Sequence, residues 1–193
     1  MKSDDVLKDI ALLAVRVGVG ASIAAHGAQK MFGAFGGAGI GGTSQFLSSL
    51  GFTPGEKFAK ASCATEIASG VLITAGALGP VGPAMLASVM IVAAETVHRK
   101  NGYFQSKNGF ELNAMYFLMA LVLANVGPGS LSIDRALGLK DKLGATAGWT
   151  VFAGGILAAA AILGQRQNAP HTHVETGTID PASVRDAAKE AQR

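Results

Sequence analysis

Cysteine is almost missing from this chain: of 193 residues, Cys63 alone carries a thiol. One cysteine excludes an intrachain disulfide and a CxxC couple, so any thiol–disulfide relay would need a cysteine from a partner. Cys63 lies in an apolar helical run, where a small packed residue is its simplest role. Charge is scarce too, at 15% of residues, and aromatics contribute only 6%. No stretch gathers Lys and Arg with interleaved aromatics, so the formal charge of +3 does not point to nucleic acid. No glycine-rich loop leads into Lys-Ser/Thr, the GGAGIGG stretch at 36–42 opens no dinucleotide-binding unit, and no GxSxG occurs.

What is present is apolar. Hydrophobic residues make up 49% of the chain and glycine supplies 26 positions. The apolar residues fall in runs at 10–28, 57–78, 84–97, 110–126 and 144–163. About 20 such residues span the roughly 30 Å of bilayer hydrocarbon. The expected fold is therefore all-α: a transmembrane four-helix bundle with an additional C-terminal transmembrane helix, and the lipid bilayer as its surroundings. Residues 1–9 form a polar lead-in, 10–137 the four-span core with an interfacial loop at 31–55, 144–164 the added helix, and 165–193 a polar tail. That tail is expected to be disordered or weakly helical near 183–192. Asp4, Asp5 and Asp9 flank the first run and Arg16 interrupts it, which argues for a retained span over a signal peptide. Gly18, Gly20 and Gly27 would allow close helix contact. Phe46, Leu47 and Leu50 sit at the spacing of a short interfacial helix. Thr53-Pro54-Gly55-Glu56 reads as a helix start with Thr53 as its cap.

Ionisable groups inside hydrocarbon are costly, about 2.5–3.5 kcal/mol each on insertion scales, and ask for partners. Counting from the side where the first span begins, here side one, puts Arg16 roughly 9 Å deep and Glu66 roughly 16 Å deep. An ion pair between them is within reach. His26, Lys30, Glu95, His98, Glu111 and Asn113 form a shallower ring near side two. The deep pair reads equally as a structural lock or as a binding or proton site. Lys30 and His98 also fit snorkelling interfacial residues, and Glu111 suits the positive end of a helix dipole. Glu95 and His98 spell Glu-x-x-His, yet a di-iron bundle needs two such pairs and two further glutamates, which disfavours it. A mixed His/Glu metal site from His26, Glu66, Glu95, His98 and Glu111 stays open. His171 and His173 belong to a solvated tail, and no catalytic residue is assigned.

An Arg in the first span, HGAQKMFG at its end, a Glu in the second span, an H-x-x-NGYF hairpin followed by GFE, and a closing GPGSLSID occur in that order. Together these motifs resemble the DoxX family of small bacterial membrane proteins, over about residues 12–137. The resemblance implies a multi-pass four-helix bundle in the bacterial cytoplasmic (inner) membrane, tied in the wider family to sulfur, thiol and quinone redox systems. The family's recurring polar residues fall on Arg16, His26, Lys30, Glu66, His98, Glu111 and Asp134. The expectation is an integral membrane subunit of a redox or oxidative-stress system. Its polar ring would hold a small acidic or quinone-like ligand, with Arg16 and Lys30 supplying positive charge and His26, His98 and Glu111 exchanging protons. Quinone is the cofactor considered, and none is assigned. A soluble redox enzyme, another membrane subunit or a second copy of the chain are the partners considered.

The alternatives are a scaffold or assembly factor without chemistry and a small-solute transporter, the latter weakened by the lack of repeated halves. Positive charge concentrates on side two, including Lys57, Lys60, Arg99, Lys100 and Lys107. That leans toward a cytoplasmic side two and leaves the orientation open.

Overall fold

A computed structural model describes residues 3–139 and 145–167. Every regular element among them is helical, as expected. The helices are α1 (Ser3–Phe32), α2 (Gly39–Ser49), α3 (Gly55–Ala75), α4 (Val81–Ala93), α5 (Glu111–Val126), a single turn α6 (Ile133–Ala136) and α7 (Ala145–Gly164). The end of α4 widens into a π-helical turn, Ala94–His98.

Small residues set the antiparallel packing of α1 on α3. A Cβ on Gly20 would meet the Gly70 carbonyl and the Thr74 side chain, and one on Gly27 would meet Cys63, Glu66 and Ile67. Backbones can approach this closely only where no side chain intervenes. Gly18, grouped with these two on sequence grounds, has open space around it. It lies on the outer face because helical periodicity turns it away from α3.

The core lies between α1, α3, α4, α5 and α7, where Val19, Ile23, Ile73, Leu86, Met90, Leu123 and Phe152 pack together. α7 lies mainly against α4, with Gly155 set on the Ala84 backbone. Its end returns to side two, where Gln167 N–H donates to the Gly51 carbonyl (2.8 Å) and Arg166 Nε to Leu50 O (2.5 Å). Arg166 and Gln167, assigned to the polar tail on composition, are thus docked on the α2–α3 link. The rest of that tail and the lysines at 140 and 142 lie outside the described residues.

Two local expectations change. Thr53 does not cap α3: extended Pro54 occupies the N-cap position without a side-chain cap bond, and Glu56 pairs with Lys60 at 2.6 Å. With the helix starting one residue later than expected, the Thr53 hydroxyl is displaced from the cap position. α2 begins at Gly39, and its buried residue is Thr43, whose hydroxyl donates to Lys30 O (3.0 Å) and Gly39 O (2.8 Å). Phe46 points outward at 49% exposure.

The α3–α4 turn needs its glycine. Gly76 adopts φ +64, a left-handed conformation that ends α3, and its N–H donates to Ile73 O (3.2 Å). Pro80 then stands at the α4 N-cap and Pro83 in its first turn, where a missing N–H costs nothing.

Candidate functional site

The buried charged groups fall in two places, Arg16 with Asp134 toward side one and Glu66 toward side two, and the structure redistributes them relative to the sequence reading. At side one, Arg16 is 3% exposed although it carries a charge. Its Nη2 donates to Thr74 O (3.1 Å) and Leu131 O (2.8 Å), and its Nη1 donates to Pro128 O. Thr74 ends α3, so its carbonyl is among those a helix leaves without an intrahelical donor. A guanidinium there also meets the negative end of the helix dipole. Gly76 makes the space: a Cβ would stand 2.6 Å from Arg16 Nη1.

Asp134 is the negative counterpart. It is 1% exposed, accepts from Leu78 N–H (2.9 Å) and Gly79 N–H (2.6 Å), and lies in electrostatic reach of Arg16. Its own N–H donates to Gly76 O at 3.1 Å. The turn from Gly76 to Pro80 is thus held by Asp134, while Arg16 holds the end of α3 at Thr74 to the segment carrying Pro128 and Leu131. A cavity of about 10 Å³, room for one water-sized molecule, adjoins Arg16, Ile73, Gly79 and Pro128.

Toward side two, Lys30 Nζ and Glu66 Oε1 are 2.5 Å apart. The Glu66 side chain is 2% exposed and that of Lys30 is 42% exposed, so the pair joins a buried carboxylate to an accessible ammonium. Glu66 Oε2 is buried without a hydrogen-bond partner among the described residues. Cys63 packs one turn before Glu66 on the same helix and is fully buried.

The expected Arg16–Glu66 pair is therefore not formed. Glu66 packs at the level of Gly27 on α1, eleven residues from Arg16, or about 16 Å along the helix. The depth count placed them only about 7 Å apart, because it set both spans by their apolar limits and not by the glycine contacts that fix register.

The shallow ring also separates. His26 is exposed on α1. Glu95, on the π-helical turn, is exposed and clamps Arg99 at 2.7 and 2.9 Å. His98 Nδ1 lies 2.9 Å from Asn108 O, and Glu111 Oε2 accepts from Gln105 N–H at 2.8 Å, so both brace the α4–α5 hairpin. Asn113 is buried, its Nδ2 3.8 Å from Met90 Sδ. Among the described residues no group of three or more His, Cys, Asp or Glu is placed to hold a metal ion, so the five side chains considered for a mixed site do not converge.

Asp134 was legible only through the family motif GPGSLSID. The Pro128 and Leu131 carbonyls had no sequence signal, because every residue carries one.

Two stretches, Val81–Asn101 and Ala147–Gly164, are long and apolar enough to cross a membrane. Large apolar side chains also face outward along the bundle, among them Leu118, Val122, Trp149 and Leu157. A helical bundle with this surface and with buried charges is a small membrane protein. Residues 11–99, from α1 through the π-helical turn, match the DoxX family. The match includes Arg16, His26, Lys30, Glu66, Glu95 and His98, and stops short of Glu111, Asn113 and Asp134. No curated protein and no solved structure matches the chain.

Proposed function

We propose that this protein is a multi-pass component of the bacterial cytoplasmic membrane, acting as the membrane subunit of a redox or oxidative-stress system linked to sulfur, thiol or quinone chemistry. Its ligand or proton site is the Lys30–Glu66 pair, with His26, Glu95, His98, Glu111 and Asn113 toward the same end. The observation carrying the site is a buried carboxylate bonded through one oxygen to a half-exposed lysine, while the other oxygen has no hydrogen-bond partner among the described residues. Such a pair is divisible. An acidic or quinone-like ligand reaching Lys30 would compete with Glu66 for the ammonium. Arg16 serves this reading as the brace of the opposite end. The redox association rests on the family.

In cells deleted for the gene, wild-type protein should restore oxidant resistance, and Glu66→Gln and Lys30→Met, expressed at equal levels in the membrane, should not. Full restoration by both variants would refute the site. The scaffold reading draws on His98 and Glu111, whose hydrogen bonds go to the hairpin itself. It predicts that a soluble enzyme co-purifies equally with the Glu66→Gln variant, and that removing the chain beyond Leu163 abolishes the association.

A further inference from the structure

We infer that the α4–α5 hairpin is a preformed contact for an anionic phospholipid headgroup in the side-two leaflet. The inference rests on the multi-pass reading and adds a ligand at a second place. The hairpin joins two apolar helices, so its depth is that of the bilayer boundary.

It is rigidly built: Phe110 N–H donates to Gly102 O (3.2 Å), Glu111 N–H to Tyr103 O (2.8 Å) and Asn101 Nδ2 to Asn108 O (3.1 Å). These bonds hold two aromatic rings outward, Tyr103 at 46% and Phe104 at 61% exposure, in edge contact with centroids 5.4 Å apart. Exposed, ordered aromatics suit the headgroup region, where a ring meets acyl chain on one side and water on the other.

Charge supplies the selectivity. The carboxylates of the hairpin are already engaged, Glu95 by Arg99 and Glu111 by the Gln105 N–H. Lys100 and Lys107 are exposed and form no ion pair among the described residues. Two ammonium groups outside any ion pair among the described residues, beside two interfacial rings, complement a phosphate carrying net negative charge, which a zwitterionic headgroup lacks.

The test is native mass spectrometry of the full chain in detergent, titrated with phosphatidylglycerol or with phosphatidylcholine of the same acyl chains. Wild-type protein should retain phosphatidylglycerol preferentially. Lys100→Gln with Lys107→Gln should weaken that retention by roughly 25-fold, about fivefold per cation, and leave phosphatidylcholine unaffected. Lys8→Gln, at the other end of the bundle, should leave the preference intact. Equal retention of both lipids by wild-type protein, or a preference that survives the double substitution, would overturn the inference, as would an acidic polypeptide held at these lysines in place of lipid. Extraction of membranes with alkaline carbonate separates the two readings. A protein released into carbonate overturns the multi-pass reading and this inference with it, whereas a retained protein without lipid preference overturns this inference alone.

Discussion

Replacing Arg16 tests whether the side-one end of the bundle is held by one guanidinium. In Arg16→Ala three carbonyls, on Thr74, Pro128 and Leu131, lose their charged donor, and buried Asp134 loses its electrostatic interaction with Arg16. Hydrogen bonds from charged groups contribute about 1.5–3 kcal/mol each, and loss of one member of a buried charge arrangement costs about 3–5 kcal/mol. Those costs overlap, since part of the cage will relax toward water. We expect a net loss of about 3–5 kcal/mol. Arg16→Lys keeps the charge and gives up the fork that reaches carbonyls on two separate segments, so it should lose about half as much. The assay is thermal unfolding in detergent micelles, read by helical circular dichroism. Asp134→Asn and the double variant complete a cycle in which the loss of the double variant should fall short of the sum of the two single losses by about 1 kcal/mol or more. A loss below about 1 kcal/mol for Arg16→Ala, or an Arg16→Lys protein as stable as wild type, would refute the cage as the source of stability at that end.

The Lys30–Glu66 pair should respond asymmetrically. Lys30→Met strands a buried carboxylate and should destabilise by about 1–3 kcal/mol, whereas Glu66→Gln leaves a lysine that can turn to water and should cost less. Equal Tm shifts for the two would contradict the burial difference on which this rests. In the α1–α3 seam, Gly20→Val should destabilise by about 2 kcal/mol or more because the Gly70 carbonyl cannot retreat, while Gly18→Ala should be neutral or slightly stabilising. Comparable losses at both positions would show that the seam is not set by backbone approach. Gly76→Ala should destabilise by at least about 1 kcal/mol through its positive φ and its approach to Arg16. A Tm unchanged from wild type would remove that glycine from the account.

The helical class and most helix positions could be read along the chain, because apolar run length, proline and glycine act locally. α5 matches its run almost residue for residue, and α7 begins and ends within a residue of its expected limits. The presence of costly charges was equally legible, since an Arg or Glu within an apolar run is visible wherever it is buried. Their partners were not. Partnership depends on helix register, and register is fixed by contacts such as Gly20 on Gly70 and Gly27 on Cys63, which belong to two segments at once.

Sequence alone therefore determined that this chain is a helical bundle with Arg16, Lys30 and Glu66 as charges needing answers. Tertiary structure decided that Arg16 is answered by backbone carbonyls and Asp134, and Glu66 by Lys30. The physical reason is that a carbonyl carries no identity in sequence, and a difference of a few residues in antiparallel register moves a buried charge from one neighbour to another.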